Sequence, residues 1–164
     1  MLFRSGDDDV ALSSLTDPRA SFTGHGLDTP WNDLQLAYFA GLAMWTYLTM
    51  PFLLAADGVV SRRIDDWQVD GETWRRLAVT FPPEIATHST RQTLHVGPDG
   101  LLRQHDYDVE IAGNTQAAHL ISDYVEVQGL RFPRKRRIFP RQPDGRAMAE
   151  PLVVSIDLDR FELR

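Results

Sequence analysis

The chain of 164 residues contains no cysteine, which removes disulfide scaffolds, thiolate zinc sites and cysteine nucleophiles from consideration. Lysine is almost absent: sixteen of the seventeen basic residues are arginine, Lys135 being the exception. No G-x-S-x-G stretch frames Ser13, Ser14, Ser89 or Ser122, so a nucleophile elbow is missing. There is also no Walker or dinucleotide glycine pattern and no HxH or HExxH pair. No cofactor and no metal are therefore expected. Met1 to Val10 carries one arginine and then Asp7-Asp8-Asp9, with no apolar stretch behind them. Such a start lacks the features of a targeting signal and predicts a cytoplasmic protein, unless a signal lies upstream of this chain.

What is present is ordinary globular material: 43% hydrophobic, 24% charged and 10% aromatic residues. That length and composition predict one domain over 1–164, with enough chain to bury a core without staples. Net charge is −6, unevenly spread. Leu130 to Arg164 holds nine basic and five acidic residues, and the rest holds eight and eighteen. An acidic chain is a poor generic nucleic-acid binder, and nucleic acid is not an expected partner.

Between Leu34 and Ala56 there is no charged residue. Thr29 as N-cap, Pro30 behind it and Asp33 in the first turn predict a long apolar helix within 29–56, ended or kinked near Met50 by Pro51. Gln35, Gly41, Thr46, Thr49 and Pro51, with acidic flanks at Asp33 and Asp57, argue against a membrane span. A helix buried in a globular domain fits better. The aromatic residues Trp31, Tyr38, Trp45, Tyr47 and Phe52 form core or wall an apolar cavity.

After Val59 the pattern alternates with period two. Trp74 to Phe81 has the pattern of a half-buried strand. Gly97-Pro98-Asp99-Gly100, Gly113-Asn114, Gln128-Gly129 and Asp144-Gly145 are turn signals. The segment 59–164 thus predicts four or five consecutive antiparallel strands. Setting Val96 opposite Leu101 gives one face with Leu94, Val96, Val109 and Ile111, accompanied by His88, Gln92, Arg103, His105 and Tyr107. The other face, including His95, Gln104 and Asp106, is expected in solvent. A five-residue loop at Ala112 to Gln116 adds His119, Ile121, Asp123 and Val125 to the apolar face. Pairing Val127 with Leu130 adds Phe132, Arg134, Arg136 and Ile138.

This register places Gln92, His105, Asp123 and Arg134 in a row across the apolar face, within cross-strand reach of one another. Polar groups there need partners, so the row is either a self-satisfied network or the lining of a wet cavity. His88 and His119 would flank Val109 some two strand spacings apart, roughly 10 Å, too far to share a metal. Arg134-Lys135-Arg136-Arg137 divides between two faces, as a solvated strand edge would.

The series Ser122-Asp123-Tyr124, Gly129-Leu130-Arg131-Phe132-Pro133, Asp144-Gly145, Val153 to Leu158 and Phe161 resembles the closing strands of the lipoprotein-localisation-factor (LolA-like) fold. A violacein-pathway enzyme is built on a similar fold. The segment Trp31 to Ala56 with Gly71 to Pro82 and Gly100 to Asp108 looks like a bacterial family of that type. The resemblance spans about residues 17–164. It implies an α+β fold, a curved antiparallel half barrel packed around the helix, with a cavity for an apolar or aromatic molecule between them. It supplies no catalytic residues. It also implies that 1–28 is a strand remnant and connector, and that the chain is the C-terminal part of a larger domain.

Three readings follow. In the first, the protein binds a hydrophobic small molecule, lined by Tyr38, Trp45, Tyr47, Phe52, Tyr107 and Phe132 with His88 and Gln92 nearby. In the second, it is a cofactor-independent enzyme with His105 as general base, Asp123 poising it and Arg134 stabilising negative charge. In the third, it is an interaction protein with no cavity. Oligomeric state is not legible.

Overall fold

A computed structural model describes residues 2–5 and 11–163, together with the side chains from residue 13 onward. It is an α+β fold: an open seven-stranded antiparallel sheet and one α-helix. Two short strands, β1 (Leu2–Ser5) and β2 (Ala11–Leu15), pair with each other in a separate sheet. The acidic run Asp7 to Asp9 lies outside the described residues. Helix α1 (Asp33–Thr49) follows, and then the main sheet: β3 (Val60–Val69), β4 (Glu72–Thr80), β5 (Arg91–Val96), β6 (Leu102–Val109), β7 (Thr115–Val127), β8 (Leu130–Pro140) and β9 (Val154–Asp157). Each strand pairs with the next, in chain order. The expected turns at 97–100, 113–114, 128–129 and 144–145 all lie between strands. The sheet has seven strands where the sequence predicts four or five; β3 is an edge strand rich in Arg and Asp and exposed over most of its length. Asp70 and Gly71, both with positive φ, close its hairpin to β4, as a two-residue turn matching strand twist requires.

The helix is shorter than the sequence predicts and begins later. Its N-cap is Asn32, not Thr29: Asn32 Oδ1 accepts from Gln35 N at 2.9 Å while Gln35 Oε1 accepts from Asn32 N at 3.0 Å. This reciprocal box satisfies two backbone donors, whereas the Thr29 hydroxyl accepts from Gly26 N in the preceding turn. The helix stops at Thr49, just before Pro51, and a short 3-10 turn covers Phe52–Ala55. So the long apolar helix expected over 29–56 is a 17-residue element. It is also only partly buried. Leu42, Ala43, Thr46 and Tyr47 face the sheet, while Leu36, Trp45 and Leu48 are exposed. No helix among the described residues is long and apolar enough to cross a membrane.

Tyr47 and Ala43 pack on Tyr107, Ala117 and Ile138 from the sheet. A second cluster joins Leu53, past the helix end, to Val79, Phe81 and Leu94. These two clusters hold the helix across the sheet and so set the spaces left between them.

Two register corrections matter. First, Val96 stands opposite Leu102, not Leu101, and β5 and β6 slip by a further residue at His95/Val96, so that Leu94 rather than Gln92 stands opposite His105. Second, the loop between β6 and β7 runs over 110–114, not 112–116, because Glu110–Ala112 coils into a 3-10 turn closed by Gly113 and Asn114 at positive φ. His119 therefore stands opposite His105, in the place the sequence assigns to Asp123. The partners of His105 are thus displaced by two residues on β5 and four on β7, both even, so the faces predicted there survive although the partners change. The expected Val127–Leu130 pairing is observed.

The face expected in solvent is partly covered. His95, Gln104 and Asp106 are buried. The Trp67 ring lies 5.1 Å from that of His95, and Gln104 Nε2 donates to Gly145 O at 2.8 Å. His95 Nε2 meets Asp106 Oδ2 at 2.8 Å, and Arg141 approaches the same oxygen at 3.5 Å. Trp67 and the 141–147 turn thus roof a polar cluster that alternation alone assigns to water.

Candidate ligand-binding site

Between α1 and strands β6 to β9 lies a cavity of about 420 Å³, within the size range of small-molecule sites. Leu36 and Phe39 line it from the helix, Val109, Ile138 and Val154 from the sheet, and Trp31 from the segment before the helix. Trp31 is held edge-on by Phe22 and tilted against Phe39, at ring separations of 5.3 and 5.0 Å. Its Nε1 is buried and has no hydrogen-bond partner.

Tyr47 and Tyr107, which border this space, belong to a buried polar network built on Tyr47. The Tyr47 hydroxyl lies 2.6 Å from that of Tyr107 and 2.9 Å from His88 Nε2. His88 stacks on Tyr107 with ring centres 4.2 Å apart and an angle of 11°. His119 sits edge-on to the Tyr47 ring at 4.3 Å, and the Arg136 guanidinium carbon lies 5.2 Å above that ring. Arg136 donates to the carbonyl of Tyr47 at 2.8 Å, with its other terminal nitrogen 3.4 Å from His119 Nε2. Gln92 Oε1 accepts from His105 Nε2 at 2.5 Å. The network thus ties the helix to β6, β7 and β8 and to His88 in the segment before β5.

Burial decides the protonation of these groups. It drives His88 down to about 3, with the Arg19 charge acting in the same direction. His105 and His119 are held well below their ordinary value, again chiefly by burial and then by neighbouring histidines and Arg136. Burial pushes Tyr47 up to about 12 and Tyr107 well above its usual range. All five are neutral near pH 7, so they act as hydrogen-bonding groups rather than as charges. Among the described residues no three His, Asp or Glu side chains are grouped to hold a metal ion.

On the other side of Tyr47 a second pocket, of about 270 Å³, opens between the helix end and β4 to β8. Arg136, Arg131 and Tyr124 line it together with leucines of the second core cluster. Tyr47 borders both spaces.

The predicted row of Gln92, His105, Asp123 and Arg134 does not form. Gln92 meets His105, and Arg134 meets Asp123 at 2.8 Å, but the two pairs are apart. The residue opposite His105 is four positions from Asp123, roughly 13 Å along a strand. Moreover, Asp123 has φ +59°, and the alternation slips by one residue there. Ile121 and Tyr124 both line the second pocket, as do Arg131, Pro133 and Arg136 across from them. Unbroken alternation would send Asp123 and Arg134 inward, whereas the slip leaves them as a surface pair.

Of the residues expected to line a cavity, Tyr47 and Tyr107 border the larger space, and Phe52, itself mostly exposed, borders the smaller. His88 and Gln92 are buried in the polar network and line neither space. Tyr38 packs on Phe22 at 6.0 Å. Trp45 is exposed on the outer side of the helix, and Phe132 stacks on Phe161 at 4.9 Å. Helical spacing explains Trp45: it is two positions from Tyr47, and such residues point to different sides. Leu36, Phe39, Val109 and Val154 are not legible as lining residues in the sequence, since nothing marks an apolar residue as facing a void rather than a neighbour. Compared with protein-family models, with curated proteins and with solved structures, the chain matches none.

Proposed function

We propose that this protein is a curved half barrel that binds an apolar or aromatic small molecule between its helix and its sheet. The observation that carries this reading is the cavity of about 420 Å³, bounded by α1 and β6 to β9 and lined almost wholly by hydrophobic side chains. Leu27, Leu36 and Val153 at its rim are exposed, so the space opens to solvent and a ligand can enter it. The unpartnered Trp31 Nε1 and the Tyr47–Tyr107 hydroxyl pair add a few polar groups of the kind that orient a ligand. If His88 Nε2 donates to Tyr47 and Tyr47 to Tyr107, the Tyr107 proton is left to meet a ligand acceptor. The motif resemblance to the lipoprotein-localisation-factor fold points the same way. His105 lies buried against Gln92, far along the sheet from Asp123, and that favours the binding reading over catalysis by this pair.

The test is a titration with neutral N-phenyl-1-naphthylamine, followed through the methyl resonances of Val109, Ile138 and Val154. Saturable shifts at these methyls are expected. Methyls that do not respond to it or to other neutral aromatic probes of similar size would overturn the reading.

A further inference from the structure

Among the described residues, Arg136 is a cation without an anion. It is 3% exposed, and no carboxylate among the described residues lies within ion-pair distance of it. Its hydrogen-bond partners are an imidazole nitrogen and a backbone carbonyl, and its Nε has none. Arg141 and Arg19, by contrast, have carboxylates: Arg141 bonds Asp108 at 3.0 Å, and Arg19 pairs with Glu110. An unpaired charge in a desolvated setting is costly, and burial presses Arg136 toward the neutral form.

The side chain borders the 270 Å³ pocket on the far side of Tyr47 from the apolar cavity. Leu54, Leu77, Leu94, Leu102 and Ile121 form most of the remaining wall. Arg131 is also part of it, more than half exposed and 3.7 Å from Glu126. Tyr124 donates its hydroxyl proton to Leu102 O at 2.9 Å, so it does not compete for Arg136. The pocket therefore pairs one uncompensated buried guanidinium with an aliphatic body.

We infer that this second pocket binds a hydrophobic monocarboxylic acid, with the carboxylate on Arg136 and the aliphatic or aryl body among the leucines. A single buried cation balances one negative charge, whereas a dianionic phosphate would carry an excess charge into the pocket. Guanidinium and carboxylate also match as planar donor and acceptor. This site is distinct from the apolar cavity against β6 to β9 and does not depend on it.

The experiment is calorimetric titration of the whole chain with decanoate, decanol and decyl phosphate at pH 7.5, with methyl spectra recorded at saturation. Decanoate is expected to bind at least ten-fold more tightly than decanol and to shift the Leu94, Leu102 and Ile121 methyls. Arg136→Met is expected to lose that ten-fold preference while keeping its affinity for decanol. The wild-type comparison stands even if that variant does not fold. Equal binding of acid and alcohol, a preference for decyl phosphate, or no binding of decanoate would each overturn the inference. So would decanoate shifts confined to Val109, Ile138 and Val154, an outcome that would leave the apolar cavity's reading intact.

Discussion

Three histidines held neutral in the interior make stability depend on pH. In the unfolded chain each titrates near 6.5, while in the folded protein His88 titrates near 3 and His105 and His119 well below their ordinary value. Between those limits the unfolded state takes up more protons, so the contribution present at pH 7 is lost as pH falls. Each histidine can contribute a slope of about 1.4 kcal/mol per pH unit at most. Urea unfolding from pH 7 to pH 4.5, above the main carboxylate range, is expected to show a steady loss of stability. His119→Gln is expected to flatten that slope, and pH-independent stability over this window would contradict neutral, buried imidazoles. The buried polar network was partly legible in the sequence, because His88, Gln92, His105 and Tyr107 fall on one alternating face. Their partners were not, since a two-residue shift in where a loop begins changes every opposite pair and leaves each face unchanged.

At the scale of elements, local chemistry settles the helix start. The Asn32–Gln35 box outcompetes Thr29-Pro30 because it satisfies backbone donors at both ends, and Gln35 also donates to Ser21 O at 3.0 Å. Asn32→Ala is expected to cost about 1 kcal/mol in urea unfolding, and Thr29→Ala less. Equal losses would contradict Asn32 as the cap. The slip in β7 makes a second prediction. Asp123 has left-handed backbone geometry, which glycine adopts freely and a β-branched residue resists. Asp123→Val should therefore lower the melting temperature more than Asp123→Gly, although both remove the surface pair with Arg134. Strand positions and turns were readable from periodicity and turn residues, whereas this slip was not: an Asp inside a strand carries no sign of the φ it will adopt.

At the scale of the whole molecule, Tyr47 separates two spaces of different chemistry, one apolar and one holding a buried guanidinium. The sequence could place an aromatic helix against an apolar sheet face, but whether that contact closes depends on side-chain packing between elements distant in the chain. The central claim is that the space against β6 to β9 is open to a small apolar molecule. The most direct test is the fluorescence titration of N-phenyl-1-naphthylamine with the wild type and with Val154→Trp, a substitution that would fill the cavity from β9. Saturable enhancement is predicted with the wild type and none with Val154→Trp, whose cooperative unfolding is retained. Equal enhancement in a folded Val154→Trp variant, or none in the wild type, would contradict the claim.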